Sequence, residues 1–252
     1  CRYLPPFFNH RIRLVYSRIE ACQKVEDLVH PTARETLRFV GIDGQIEIHY
    51  DGDLPARSGM GSSSAFTVGL LNALYAFNGE IASPKKLACD SIHIEQDLVR
   101  EQVGSQDQIS AAYGGLNRIS FLDNGEILVR PVGIDKDRIN QLNDFLLMFY
   151  TGIARTASDV AGTYLRDIKN KATQLRKMST MVDDAVEILN RSADLNDFGL
   201  LLHDAWMEKR SLSPQVSNAY IDEMYEAART AGALGGKLVG AGGGGMLLLY
   251  VP

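Results

Sequence analysis

Residues 54–65 read Leu-Pro-Ala-Arg-Ser-Gly-Met-Gly-Ser-Ser-Ser-Ala, and an apolar run follows them directly up to Phe77. Glycines let the backbone come close to a ligand, and serine hydroxyls bind phosphate or Mg²⁺. The start of a helix adds free N–H groups and a partial positive charge. We therefore predict a phosphate-binding loop that opens a buried helix over residues 62–77. A plain helix with a serine cap is the alternative, but a cap accounts for one or two serines only.

This loop does not fit the two best-known nucleotide motifs. A Walker A loop needs Lys-Ser or Lys-Thr after its glycines, and none stands there. The dinucleotide fingerprint needs Gly-x-Gly-x-x-Gly inside a strand-helix-strand unit, which is also absent from this pattern. The loop must belong to another class of phosphate site.

A second glycine-rich stretch lies near the C-terminal end, where residues 236–245 read Gly-Lys-Leu-Val-Gly-Ala-Gly-Gly-Gly-Gly before an apolar strand. A tight turn between two strands needs only one or two glycines. Four in succession are entropically unfavourable and are expected where the backbone must pass very close to something else.

Together these stretches resemble the second and third signatures of the GHMP kinases, a family that includes galactokinases and the homoserine, mevalonate and phosphomevalonate kinases. The resemblance implies an α+β fold of two lobes: an N-terminal mixed α/β lobe, and a C-terminal lobe rich in helices with an antiparallel sheet. It also implies ATP as phosphoryl donor and Mg²⁺ as cofactor. The nucleotide-binding residues implied are Ser58, Gly59, Met60, Gly61, Ser62, Ser63, Ser64, Gly242, Gly243 and Gly244.

Between the two signatures, residues 103–108 read Val-Gly-Ser-Gln-Asp-Gln and resemble the family loop that carries the catalytic carboxylate. By this resemblance Asp107 is the general base that accepts the proton of the attacking hydroxyl. Glu95 lies twelve positions earlier, where the family has an acidic Mg²⁺ ligand, and Ser63 would be the second ligand. On spacing alone, Glu95 could equally be a solvated carboxylate on a helix near Arg100.

Three further stretches resemble the heptose 7-phosphate kinase branch of the family, namely residues 2–8, 150–158 and 203–210. The acceptor implied is the anomeric hydroxyl of D-glycero-D-manno-heptose 7-phosphate, and the product is the 1,7-bisphosphate. A fucose, galactose or mevalonate type of kinase stays open. So does an inactive nucleotide-binding relative, because the family's first signature has no match after Cys1. We expect residues to be missing before Cys1, where the chain has no initiating Met.

A substrate that carries a phosphate needs a cationic anchor. The candidates are Arg155, Lys209, Arg210 and Lys237. The first three could equally be ordinary surface charges. Lys237 lies beside the glycine-rich stretch and could serve the nucleotide or the acceptor phosphate, with an extended lysine at a strand end as the default interpretation.

The composition narrows the class of partner. The net charge of −5 and the pI near 5.6 argue against nucleic acid. The longest apolar runs are too short to cross a membrane. Three widely spaced cysteines favour neither a disulfide framework nor a zinc site, and a reducing cytoplasm fits them best. The sequence leaves the oligomeric state open, a homodimer included.

Periodicity and turn residues predict where the elements lie, with a first lobe over residues 1–133 and a second over 134–252. In the first lobe we predict strands over 11–19, 45–50, 116–122 and 126–132, helices over 31–40, 62–77 and 84–101, and turns over 103–115. In the second lobe we predict a link between the lobes over 133–143, a strand over 144–150, helices near 155–170, 172–191, 196–209 and 216–231, and two strands around the glycines.

Overall fold

A computed structural model describes residues 1–53, 58–154, 168–190 and 194–252. By its internal contacts the chain divides into two compact units. Cys1–Ala56 and Gly61–Gly114 form the first unit, and Arg57–Met60 and Gly115–Pro252 form the second. The division between the two units therefore falls after Gly114. The lobe boundary after residue 133 stays a prediction.

A mixed four-stranded sheet forms one layer of the first unit. Its strands are β1 (Arg2–Tyr3), β2 (Ile12–Val15), β3 (Ile19–Cys22) and β4 (Ile46–His49), in the order β1-β4-β2-β3. β2 and β4 run parallel, and the other neighbours are antiparallel. The single strand predicted over 11–19 is wrong in extent, because the amide of Tyr16 bonds the carbonyl of Arg18 and the chain turns back into β3.

The helices described in this unit are α1 (Pro31–Val40), α2 (Ser62–Phe77), α3 (Pro84–His93) and α4 (Gln106–Tyr113), with a 3-10 turn at Val25–Asp27. Helices α1 and α2 pack against this sheet, and α3 and α4 pack on α2 and on each other. Inward side chains of β2 and β4 pack against α1 and α2 in one apolar cluster that includes Leu14, Ile48, Leu37 and Phe66. This burial explains why α2 is apolar on almost every side and why its predicted bounds agree with the structure.

Two predictions for this unit are corrected. The helix predicted over 84–101 ends as α3 at His93 and continues as one π-helical turn over Ile94–Leu98, a local form often found at functional sites. The turns predicted over 103–115 contain α4 instead. The local pattern did not reveal α4 because only Gln108 and Ile109 are buried in its eight residues.

The second unit contains a hairpin and an antiparallel sheet. The hairpin joins β5 (Asn117–Phe121) to β6 (Ile127–Pro131) and confirms the two predicted strands there. The sheet has the order β7-β9-β8, formed by β7 (Leu146–Tyr150), β8 (Gly235–Leu238) and β9 (Met246–Tyr250). β8 and β9 are the two strands predicted around the glycines.

The helices described in the second unit are α5 (Lys136–Phe145), α6 (Ala172–Asn190), α7 (Asn196–Arg210) and α8 (Ala219–Thr230), with a 3-10 turn at Ile168–Lys171. Trp206 of α7 and Tyr225 of α8 are fully buried in a cluster with Leu238 and Leu247 of the sheet. The link predicted over 133–143 is in fact mostly α5, whose polar sequence buries only Leu142. Most of the helix predicted near 155–170 lies outside the described residues.

α7 lies very close to β8. A Cβ atom on Gly235 would overlap the carbonyl oxygen of Gly199, so a glycine at position 235 is a packing requirement. Within the described ranges, no helix combines the length and the apolar character needed to cross a membrane.

Candidate active site

The first turn of α2 starts without a side-chain cap. Gly61 occupies the N-cap position with φ +69°. Ala65 is the first residue whose amide bonds back, to the carbonyl of Gly61 at 2.9 Å. The amides of Ser62, Ser63 and Ser64 have no acceptor among the described residues. An anion can therefore accept three backbone hydrogen bonds at the positive end of this helix.

Asp107 lies directly against this helix start. A Cβ atom built on Gly61 would stand 3.3 Å from Cγ of Asp107 and 3.4 Å from its Oδ2. Asp107 is half-buried and belongs to the first turn of α4, so it is not in an open loop as predicted. The folded chain thus brings the predicted base to the predicted phosphate-binding turn, although they are far apart in sequence.

Glu95 lies beneath the same turn, on the π-helical segment. Its side chain is 1% exposed and accepts hydrogen bonds from the hydroxyls of Ser64 (2.9 Å) and Thr67 (2.6 Å). The side-chain amide of Gln108 also donates to it. Within the described ranges no Lys, Arg or His forms an ion pair with Glu95, so three neutral donors surround a buried carboxylate.

This arrangement fits a divalent cation. A buried carboxylate normally requires a positive partner, and a hydroxyl-bearing helix turn beside it supplies further oxygen ligands. Ser63, the second predicted ligand, is exposed at the second position of α2 and adjoins Ser64, which bonds Glu95. No group of three or more His, Cys, Asp or Glu side chains suited to a metal occurs in the described part of the chain. Most of the cation's ligands would therefore have to be water and phosphate oxygens.

Glu101 adds a second carboxyl group to this neighbourhood. Burial, and to a smaller extent the charge of Glu95, raises the pKa of Glu101. Its backbone amide also bonds the carbonyl of Glu95 at 2.9 Å. A bound cation would favour the charged form of Glu101, against the effect of its burial.

The glycine-rich loop after β8, residues 240–245, belongs to the second unit. The amide of Gly243 bonds the carbonyl of Val216 at 2.8 Å, and that of Gly245 bonds the carbonyl of Ile153 at 2.9 Å. Gly242 and Gly244 are buried, and their amides have no acceptor within the described residues. Buried N–H groups normally find a partner, so this alternation leaves donors for a ligand.

Ser58 and Gly59, which precede Gly61 in the chain, pack on this loop within the second unit. A Cβ atom on Gly245 would overlap the carbonyl oxygen of Ser58, which explains the glycine at 245. Ser58 is 1% exposed, and its hydroxyl has no hydrogen-bond partner among the residues that the structure describes. Met60 is half-buried and follows in the same segment.

The basic side chains predicted to bind the phosphate of the acceptor have different surroundings. Nζ of Lys209 donates to the backbone carbonyls of Leu238, at 3.4 Å, and Gly240. Arg210 pairs with Asp222 of α8 at 2.8 Å. Burial lowers the pKa of Lys237, and no ion pair of that side chain occurs in the described ranges. Arg155 lies outside the described residues.

Sequence reasoning missed Thr67 and Gln108 as partners of Glu95. Gln108 belongs to the same Gln-Asp-Gln string as Asp107, and the string was used to predict a role for Asp107 only. Thr67 lies one helical turn after Ser63 and Ser64, a spacing that places it on the same face of α2. Nothing local distinguished it from an ordinary helix residue.

Comparison with known proteins gives the family. The model of the GHMP kinases N terminal domain matches residues 24–115, and that of the GHMP kinases C terminal region matches residues 185–251. A D-glycero-alpha-D-manno-heptose 7-phosphate kinase of Campylobacter jejuni is 27% identical over 240 residues, which cover 86% of this chain and 70% of that protein. A mevalonate kinase of Methanothermobacter thermautotrophicus is 29% identical over 212 residues, which cover 82% of this chain and 65% of that protein.

Among solved structures, a D-glycero-D-manno-heptose 1-phosphate kinase from Bacteroides thetaiotaomicron aligns with a TM-score of 0.75 at 20% identity. The alignment covers 96% of this chain and 73% of that one. Such a likeness shows the shared fold, whereas the two family models show the relationship. This chain, with its α+β fold, belongs to the GHMP kinase family, whose members transfer phosphate from ATP to an alcohol.

Proposed function

We propose that this protein phosphorylates the anomeric hydroxyl of D-glycero-D-manno-heptose 7-phosphate with ATP and yields the 1,7-bisphosphate. The position of Asp107 against Gly61, at the uncapped start of α2, carries this proposal. The similarity to the Campylobacter jejuni heptose 7-phosphate kinase supports the choice of acceptor.

The nucleotide phosphates would bind the backbone donors. The amides of Ser62, Ser63 and Ser64 at the start of α2 form one set, and those of Gly242 and Gly244 form the other. We propose that each set binds phosphate oxygens of ATP, with Gly61 adding contact surface at α2 and with Ser58, Gly59, Met60 and Gly243 adding it at the glycine-rich loop. Backbone donors suit this task because they are fixed before the phosphate arrives and need little reorganisation.

Asp107 would act as the general base. As the acceptor oxygen bonds to the γ-phosphorus, the hydroxyl proton passes to the carboxylate of Asp107. The bond between the γ-phosphorus and the bridging oxygen breaks, and ADP leaves with that electron pair. In phosphoryl transfer most of the acceleration comes from positioning and charge stabilisation, and a base that touches the phosphate-binding turn satisfies the positional requirement.

Glu95 and Ser63 would hold Mg²⁺. When bound, the cation neutralises charge on the transferring phosphoryl group. Glu95 would contribute through its buried carboxylate. The side chains of Thr67 in α2 and Gln108 in α4 orient this carboxylate by hydrogen bonds. Such supporting partners commonly fix the orientation of a metal ligand.

The acceptor's own phosphate would need a cation, and Arg155, Lys209, Arg210 and Lys237 stay the candidates. Arg210 is engaged with Asp222, and Lys209 with the backbone. Lys237 has no carboxylate partner in the described ranges and is partly desolvated, so it would gain most from a phosphate dianion.

A second candidate function is phosphorylation of a mevalonate-type acceptor. The observation that favours it is the 29% identity to the Methanothermobacter thermautotrophicus enzyme, slightly above that to the heptose kinase. An inactive nucleotide-binding relative is the third reading, and the presence of both Asp107 and Glu95 argues against it.

An acceptor panel tests the proposal. The purified protein is incubated with ATP and Mg²⁺ and, separately, heptose 7-phosphate, fucose, galactose or mevalonate, and the products are identified by ³¹P NMR. We expect a new phosphate at C1 of the heptose only. A product from another acceptor would reassign the substrate. ATP binding by calorimetry without any product would favour the inactive relative.

A further inference from the structure

The second unit contains a buried lysine that contacts the glycine-rich loop. Lys209 is the penultimate residue of α7 and is only 8% exposed. Its ammonium donates to the carbonyl oxygens of Leu238, the last residue of β8, and Gly240, the first glycine of the loop. The close packing of α7 on β8 brings the end of the helix to the end of the strand.

A buried ammonium group is costly unless its donors are used, so this placement needs an explanation. The adjacent residue, Arg210, has a different role, because its guanidinium pairs with Asp222 and ties α7 to α8. A cation at a helix C-terminus is favoured by the helix dipole, yet an exposed side chain would satisfy that need equally well. What distinguishes Lys209 is its contact with the loop backbone.

That contact fixes the orientation of a loop peptide. Gly240 has φ +70°, a left-handed conformation, and its carbonyl oxygen accepts from Lys209. In a trans peptide the carbonyl and the following N–H point in opposite directions, so the amide of Ala241 points away from the ammonium group. This amide has no acceptor in the described part of the chain. A charged donor on the carbonyl also polarises the peptide and strengthens its N–H as a donor.

We infer that Lys209 is a positioning residue that orients the glycine-rich loop so that its backbone amides bind a nucleotide phosphate. The inference deepens the proposed function and rests on it, since it concerns the same nucleotide site. It also changes the role first expected for Lys209, from a direct anchor of the acceptor phosphate to a support of the donor's phosphate.

The test compares Lys209→Met with Lys177→Met. Lys177 is an exposed residue of α6 that pairs with Glu208 of α7, so its loss removes a charged contact from the same helix without touching the loop. The dissociation constant for ATP with Mg²⁺ is measured by calorimetry, and KM is measured separately for ATP and for heptose 7-phosphate. Each variant's melting temperature is also recorded.

For Lys209→Met we expect the dissociation constant and the KM for ATP to rise at least about tenfold, as for the loss of a charge-assisted contact, with the KM for the acceptor unchanged. Lys177→Met should change neither value appreciably. A higher KM for the acceptor with unchanged ATP binding would overturn the inference and make Lys209 the acceptor's anchor. Unchanged values for both ligands would also overturn it. Failure of the wild type to bind ATP would instead reject the proposed function.

If Lys209→Met does not fold, amine acetylation of the wild-type protein, read by mass spectrometry, decides between the two roles. A lysine that supports the loop stays protected with or without heptose 7-phosphate. A lysine that faces the acceptor is acetylated in the free protein and protected by heptose 7-phosphate, and this result would contradict the inference.

Discussion

Helices α2 and α3 lie in the same unit and both begin near serines, yet their first turns are completed differently. At α3 the hydroxyl of Ser83 accepts the amide of Lys86 at 3.2 Å, and Pro84 follows at a position that needs no donor. At α2 a glycine holds the N-cap and three serines stand inside the first turn. The start of α3 has a backbone amide bonded by its own capping serine, whereas the start of α2 leaves its backbone amides available to a ligand.

The difference teaches that a serine beside a helix start has two distinct uses. At the N-cap of α3, Ser83 caps the helix and contributes to stability. Inside the first turn a serine leaves the backbone amides open, and its hydroxyl can contact other groups, as Ser64 contacts Glu95. α1, α5 and α8 resemble α3, because His30, Asp135 and Asn218 cap them.

The largest effect should come from Asp107, which lies against the uncapped start of α2. Asp107→Asn keeps the shape of the side chain but removes the base, so we expect turnover to fall at least about 100-fold while ATP binding is retained. Steady-state kinetics and calorimetry measure the two quantities. Asp123→Asn, in the exposed hairpin turn, is the control. Unchanged turnover in Asp107→Asn would remove this residue from the mechanism.

A smaller but still large effect is expected from Gly61→Ala. The new Cβ would be strained at φ +69° and would press on Asp107 from 3.3 Å, so we expect turnover to fall about tenfold or more. Gly79→Ala is a matched control at the other end of α2, with φ +81° and open space around the position. Equal losses of turnover in both variants would mean that backbone strain alone is responsible.

Next in size is the effect of Glu95→Gln on the cation. The substitution keeps the volume but removes the buried charge that Ser64 and Thr67 contact, so we expect the Mg²⁺ concentration for half-maximal activity to rise at least about tenfold. A Mg²⁺ titration measures it. Asp97→Asn, exposed on the same π-helical turn, should leave the titration unchanged. An unaltered Mg²⁺ requirement in Glu95→Gln would exclude Glu95 as a ligand.

The smallest effect is predicted at the capped start of α3. Ser83→Ala removes the cap of α3 and should lower the free energy of unfolding by about 1 kcal/mol, without any change in ATP affinity. Urea denaturation and calorimetry test these two expectations. A marked loss of ATP affinity would show that the two helix starts are not functionally separate.

Much of the fold could be predicted because its signals are local. The bounds of α1 and α2 follow from Pro31 at one start and from the apolar run that ends before Asn78-Gly79. The hairpin β5–β6 follows from its Asp-Asn-Gly turn. By contrast, α5 has a polar sequence held by few buried side chains. The return from β2 to β3 runs through Tyr16, Ser17 and Arg18, where Ser17 alone favours a turn and no Gly, Pro, Asn or Asp marks it.

The sequence by itself determined which residues stand at each helix start and where the glycines fall, because capping and left-handed backbone depend on neighbouring residues. Only the tertiary structure decided that Glu95 meets Ser64 and Gln108, which are 31 and 13 positions away, and that Asp107 meets Gly61. These contacts depend on how α2, the π-helical turn and α4 pack together, and no local pattern encodes that packing.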